Sequence, residues 1–309
     1  MSYTVTYPGQ NAGTGDVRNK YLKLFTGEVL AAFAMKNIAL GLVKTRTISG
    51  GKSAQFITTG RAASTDVAQH VPGADVVASV IKSNERVITI DSRYYYSTFL
   101  DDLEQKLAQW EMRGEIARQH AEVLATKIDK AIFQGIYDSA SVAPQDGQTA
   151  SISVNNAAIA SGATAEAKGD AIIDAIFAAQ AGLDTNYVPT DGRVFVTSPV
   201  YYYNLVQSKK AINRDWNDGS VNGTLGSGRV FKIAGLEIVQ TNHLPTPSGV
   251  TLVGMVFTPE VYGVVKAMEI TSEANYLPQQ LGTLLTSYYA LGMGTLNPSA
   301  LAVVTANAS

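Results

Sequence analysis

Between residues 98 and 140 the chain carries one continuous apolar stripe: Leu100, Leu103, Leu107, Trp110, Gly114, Ala117, Ala121, Leu124, Ile128 and Ala131 recur at steps of three and four. That spacing is the period of an α-helix with one buried face. It predicts a helix of about forty residues, far above the usual length of about 10 to 14. Such a helix outruns any small core, so other elements must pack along it as along a spine. The same stretch concentrates charge, including Asp101, Asp102, Glu104, Lys106, Glu111, Arg113, Glu115 and Arg118, on a face that is wet or meets a neighbour. Gly114, in mid-stripe, costs about 1 kcal/mol against alanine, and is expected to mark a close crossing by another backbone.

Elements of other kinds flank this spine. Residues 1–15 are small and polar, as in a flexible arm. Asp16 then caps a predicted helix in which Leu22, Phe25, Val29, Leu30 and Phe33 share a face, running to about residue 38. Two extended stretches, 41–60 and 76–93, predict a long hairpin with too few apolar residues for a core of its own. Beyond a loose stretch over 141–161 the pattern turns to mixed α/β. A helix is predicted over 165–183 and a short one over 199–206. Strands are expected over 193–197, 230–240, 250–257 and 261–270, a glycine-rich loop over 218–228, and a packed strand pair over 281–304. A length of 309 residues suits roughly two folding units.

Composition narrows the functional classes. Asp, Glu, Lys and Arg make up 16% of the chain, against about 25% in ordinary globular proteins. Interface cores are depleted of charge, so the deficit points to a subunit that assembles. With no cysteine, disulfides, thiolate metal sites and thiol nucleophiles are excluded together. A net charge of −2 gives no general attraction to nucleic acid. The first twenty residues lack the basic start and apolar stretch of a secretory signal, and no run of about 18 apolar residues occurs. The expectation is a soluble protein made in a cytoplasm, with no membrane contact.

Charge is also unevenly placed. Up to Lys52 there are seven bases against two acids, whereas residues 101–138 hold eight acids against five bases. A positive arm and a negative spine in one chain suit pairing between copies. The candidate interface residues are Lys20, Lys23, Arg46 and Lys52 on one side and Glu111 and Glu115 on the other.

Motifs of chemistry are sought and rejected on spacing. Gly51-Lys52-Ser53 imitates the end of a phosphate-binding loop, but the glycine required five positions earlier is Arg46. Gly223, Gly226 and Gly228 have the wrong order for a dinucleotide fingerprint. His70, His120 and His243 fall in separate predicted elements with no metal-ligand spacing, and read as polar surface or interface residues. Asp101 and Asp102 sit where a helix dipole favours negative charge. The runs Tyr94–Tyr96 and Tyr201–Tyr203 could stack on bases, yet no basic groove accompanies them; packing at an interface fits better. No catalytic residue, metal or cofactor is called for.

Five blocks, in order along nearly the whole chain, carry a family likeness: RTISGGKSAQF (46–56), ERVITID (85–91), NYVPTDGRVFVTSP (186–199), IAGLEIVQTNHLP (233–245) and YYALGMGTLNPSA (288–300). Together they resemble the major capsid proteins of short-tailed, T7-like podoviruses. The resemblance implies an α+β, HK97-like phage capsid fold. Its parts would be an N-terminal arm (1–42), an extended loop hairpin (43–91), a peripheral domain with the spine helix (92–164), an axial domain (165–257) and a return to the peripheral sheet (258–309). It implies a homo-oligomer of hexamers and pentamers forming an icosahedral head, assembled in the host bacterial cytoplasm. The implied partners are a scaffolding protein, a portal protein at one vertex, and packaged double-stranded DNA bound without sequence specificity. Some members of the fold join lysine to asparagine covalently; Lys52, Lys82, Asn275 and Asn297 offer the residue types, but nothing local supports the reaction. Two alternatives stay open at this point: an encapsulin-like cellular compartment, and a soluble α/β enzyme using the glycine loop and His243.

Overall fold

A computed structural model of the chain describes residues 37–59, 67, 69–70, 72–73, 75, 83–91, 93–103, 112–144, 148–162, 164–208 and 232–307. In chain order the strands are β1 (Lys44–Thr47), β2 (Ser53–Thr59), β3 (Ser83–Thr89) and β4 (Arg93–Asp101), followed by helix α1 (Met112–Asp138). Next come β5 (Ile152–Asn155), α2 (Ala157–Ser161), α3 (Ala165–Thr185), β6 (Val194–Thr197) and α4 (Pro199–Gln207). Then follow β7 (Lys232–Ile233), β8 (Leu236–Gln240), β9 (Leu252–Phe257), β10 (Tyr262–Leu277), β11 (Gly282–Thr295) and β12 (Leu301–Thr305).

These strands form two main sheets and a hairpin. A four-stranded sheet has the order β1-β10-β11-β4, with β1 parallel to β10 and the other pairs antiparallel. A six-stranded mixed sheet has the order β5-β12-β9-β6-β8-β7, and β2 pairs with β3 alone. In β11 the inward positions Leu285, Ser287, Tyr289 and Leu291 alternate with more exposed ones along part of the strand, because one sheet face meets the spine. The central strands β6, β9 and β12 instead read as unbroken apolar runs, since both faces are covered.

Helix α1 is the shared support. Ala117, Ala121, Leu124, Ile128, Ile132, Phe133 and Ile136 form its buried stripe. They join one core with Val264, Leu285 and Tyr289 of the four-stranded sheet and with Val196, Met255, Phe257 and Val303 of the six-stranded one. Burying a side chain of this size contributes about 1.5 to 3 kcal/mol, so the stripe fixes both sheets to one helix. On the far face of the six-stranded sheet, α3 and α4 bury Ile172, Ile176, Leu183, Tyr202 and Leu205 against Phe195, Val253 and Val304. Thr164 caps α3 by accepting a hydrogen bond from the Ala167 amide at 3.2 Å.

Four expectations are corrected. Residues 98–101 end a strand instead of opening the spine helix: Thr98 and Leu100 pair with Leu285 and Thr283 of β11, and this partner overrides the helical spacing. Leu103, expected in the buried stripe, is 64% exposed. The first arm of the hairpin divides at Gly50 and Gly51, whose positive φ values of 80° and 104° turn the chain. As a result β1 joins the four-stranded sheet and only β2 pairs with β3. The last strand, β12, lies in the six-stranded sheet between β5 and β9, whereas the sequence placed all of 258–309 in the other sheet. On the same helix an added Cβ at Gly135 would overlap the Tyr262 ring and hydroxyl. The predicted arm helix, the glycine-rich loop, Leu107 and Trp110 lie outside the described residues.

Candidate functional site: an assembly interface

Three buried polar nodes tie the elements together. The carboxylate of Asp129, on α1, is fully buried. It accepts hydrogen bonds from the backbone amides of Ile38 (3.2 Å) and Ala39 (3.1 Å), and its Oδ2 lies 3.2 Å from His243 Nδ1. Asn37 Oδ1 takes the next amide, that of Leu40, at 2.9 Å. Side chains thus satisfy the free amides that open the 3-10 turn Ala39–Gly41.

His120, also fully buried, lies 2.9 Å from Thr98 Oγ1 and 3.2 Å from Ser287 Oγ, which in turn lies 2.9 Å from Ser272 Oγ. The Tyr96 ring meets the imidazole edge-on, and burial pushes the His120 pKa down. The third node is Arg193, which donates to Asp184 Oδ1 (2.7 Å), Val188 O (2.6 Å) and Pro189 O (2.9 Å) and so pins the loop after α3. His120 is therefore a buried structural junction, contrary to the surface or interface placement read from sequence, and His243 is a half-buried one; His70 is exposed. Sequence spacing could not reveal either junction, because the partners lie far apart in the chain.

The candidate charged residues are not brought together within one copy. Lys20, Lys23 and Glu111 lie outside the described residues. Arg46 donates to Gln55 O at 3.0 Å, with its guanidinium 5.9 Å from the Phe56 ring centre. Lys52 pairs with Asp91 at 3.4 Å, both exposed. Glu115 accepts from Arg118 Nε at 2.9 Å and from Gln119 at 3.0 Å, and these bonds hold its carboxyl well below the usual range, at about 2. Asp101 closes β4 and accepts from the Leu103 amide at 2.7 Å, instead of opening the spine helix as the sequence reading placed it.

Among the described residues no catalytic arrangement emerges. Among the described residues no group of three or more His, Asp or Glu side chains is placed to hold a metal. A cleft of about 440 Å³ between Lys44, Pro189, Asp191, Gly192, Thr258, Pro259 and Glu260 holds two carboxylates but no base paired with a nucleophile.

Apolar surface left open is the more telling feature. On the hairpin, Ala54, Phe56 and Ile88 turn inward to Val265 and Leu296, while Ile57 (71% exposed) and Val87 (54%) face out. On β4, Tyr95 is 71% and Phe99 40% exposed, with Tyr94 stacked on Tyr289 at 5.5 Å. Phe177, Val200 and Tyr203 are exposed on α3 and α4. Exposed apolar and aromatic side chains thus stand on the hairpin, on β4 and on α3 and α4, the kind of surface that contacts with other molecules use.

Two sheets fixed to one long helix, with a hairpin resting on few inward residues, match the HK97-like fold of solved phage capsid subunits. The sequence matches the Gp10A-like major capsid protein family over residues 55–252, and the chain belongs to that family. It is 28% identical to the major capsid protein of Escherichia phage T7, covering 96% of this chain and 97% of that one. With the major capsid protein of Enterobacteria phage T3 it shares 27%, over 97% and 95% of the two chains. In three dimensions the capsid structure of the cyanophage P-SCSP1u superposes with a TM-score of 0.75 at 29% identity, covering 99% of this chain and 100% of that one. A virus-like particle protein from Pyrococcus furiosus superposes at 0.59 with 13% identity over 92% and 99% of the chains, a likeness of fold alone. The chain is thus a major capsid protein of a tailed phage, a structural class, and neither the enzyme nor the cellular-compartment alternative is favoured.

Proposed function

We propose that the chain builds an icosahedral head from hexamers and pentamers of itself, in the cytoplasm of a host bacterium, around double-stranded DNA. A scaffolding protein guides assembly and a portal protein occupies one vertex. The arm is residues 1–42, the extended loop 43–91, the peripheral domain 92–164 together with the sheet strands after 258, and the axial domain 165–257, to whose sheet β5 and β12 are added. The observation that carries this reading is the hairpin: its few inward residues rest on Val265 and Leu296, while Ile57 and Val87 have no cover among the described residues of the same chain. An adjacent subunit supplies it. Between copies, Lys20 and Lys23 of the arm meet Glu111 and Glu115 of the spine, with Arg46 and Lys52 at the hairpin base adding positive charge to the same contact zone. A mildly acidic subunit also leaves the DNA free to enter and leave, since strong phosphate binding would hold it to the wall.

Electron microscopy of the overexpressed protein, with and without its scaffolding partner, tests the proposal. Closed shells are the expected result. A chain that stays a small oligomer under both conditions overturns it.

A further inference from the structure

Strand edges in this protein differ in how they are guarded. β1 carries Lys44 and Arg46, β3 carries Glu85 and Arg86, and β5 and β7 are only four and two residues long. Charge and shortness are the devices that keep unpaired edges from capturing foreign strands. β4 has neither. It is nine residues long, uncharged from Tyr94 to Leu100, and pairs with β11 on one side only among the described residues. Tyr94, Tyr95, Tyr96 and Phe99 stand exposed along it. β2 is also neutral, but its single aromatic, Phe56, faces the core. An unguarded edge of this length is a template for one more strand.

The chain itself contains a segment of matching chemistry. Tyr3, Thr4, Val5, Thr6 and Tyr7 are five consecutive β-branched or aromatic residues without a charge, followed by Pro8-Gly9. Residues of these types have the strongest preference for strands, and Pro-Gly ends them. Thirty positions separate Tyr7 from Asn37, the first described residue. With the predicted helix from Asp16 formed at about 1.5 Å per residue and the rest extended, that length reaches up to about 60 Å, enough to leave one subunit and reach the next.

We propose that residues 3–7 of one copy add as a strand to the free edge of β4 in a second copy. The inference rests on the shell reading, which brings copies within reach. Main-chain hydrogen bonds make the attachment. Tyr3, Val5 and Tyr7 share one face of the added strand and pack along the exposed β4 side chains, while Thr4 and Thr6 take the other face. The chain of β4 runs on into Asp101, Asp102 and the spine acids, so the bound segment also delivers Arg18, Lys20 and Lys23 to the acidic part of the neighbour.

Because the chain has no cysteine, an introduced pair reports one contact only. Shells of the Val5→Cys/Ser97→Cys variant, oxidised and run on a denaturing gel without reductant, are expected to give a ladder of covalent multimers. Shells lacking residues 2–8 are expected to exchange their β4 amides about tenfold faster or more than the full chain does, whatever the register of the added strand. If that deletion blocks assembly, a synthetic peptide of residues 1–10 is added to free subunits. It should protect β4 amides, and its Val5→Pro form should not. Unchanged β4 protection in the deletion shells, or in free subunits given the peptide, overturns the inference. So does a cross-link closed within one chain, or a ladder that forms only from Gln55→Cys/Ser97→Cys, which would assign the edge to a neighbouring hairpin. Absence of any shell from the unaltered chain is a different result, and would remove the shell reading itself.

Discussion

His243 Nδ1 stands 3.2 Å from Oδ2 of Asp129, a residue 114 positions earlier, and this contact joins the loop after β8 to the middle of the spine helix. The same carboxylate holds the amides of Ile38 and Ala39. Asp129→Ala strands three donors at once, each worth about 1 to 3 kcal/mol when left unsatisfied in the interior. A loss of about 2 to 4 kcal/mol in urea unfolding is expected after partial rescue by water. Asp129→Asn, which keeps an acceptor, should lose less. Equal stability of wild type and the alanine variant would mean that the junction contributes nothing.

His120 makes stability depend on pH in a stated direction. Burial lowers its pKa below the ordinary 6.5, so the unfolded chain binds a proton that the folded chain resists. The contribution is complete above about pH 6.5 and declines as the pH falls through the window below it, down to the folded-state pKa. Thermal midpoints measured from about pH 8 to 5 should fall on the acid side, and His120→Gln should flatten that fall. A parallel decline in both proteins would assign the effect to other groups.

Replacing Ile57 and Val87 by serine separates folding from assembly. Both side chains point outward, so subunit stability should change by no more than about 0.5 kcal/mol for each. Shell yield should drop sharply. Hydrogen exchange gives a second reading: hairpin amides should exchange fast in free subunits and slowly in shells, and equal rates in the two states would refute the neighbour contact.

Opposite charges on arm and spine predict a salt dependence. Exposed pairs are screened over about 8 to 10 Å at ordinary ionic strength. Changing Lys20 and Lys23 to glutamate should therefore slow assembly most in low salt and little in high salt, as followed by light scattering without DNA. With its carboxyl held at about 2, Glu115 keeps its charge through mildly acid buffers, so the effect should persist there. Superimposable curves for the two proteins would eliminate the pairing.

Gly135→Ala should destabilise the subunit although alanine is the better helix former by about 1 kcal/mol. The added methyl would overlap Tyr262, itself nearly buried and shifted up to about 12 by burial and the nearby Asp138. Overpacking of this kind costs about 1 to 3 kcal/mol. Tyr262→Phe removes the hydroxyl but not the ring, and should recover only part of the loss in a double mutant.

Much of the architecture is legible in local pattern. The stripe from Ala117 to Ile128 gave the spine, the 165–183 periodicity gave α3, and alternation with β-branched residues gave most strands of the six-stranded sheet. What local pattern does not show depends on distant partners. Leu100 fits a helix until β11, some 180 positions later, offers Thr283 as its neighbour. Asp129 looks like one more spine charge, yet it is the fully buried centre of a junction whose other members come from residues 38, 39 and 243. The apolar positions that invite neighbours were visible only as composition, because a deficit of charge does not say which faces of Tyr95 or Ile57 stay open.

The placement of β12 sets a condition on synthesis. It is the last of the described strands, yet it sits inside its sheet, parallel to β5 from about 150 residues earlier and antiparallel to β9. A nascent chain still on the ribosome before residue 301 cannot close that layer, and a fragment released early would carry a gap between two strands that have no other partner there. Synthesis must therefore run through residue 305 before this layer, and the face that α3 and α4 cover, can be complete.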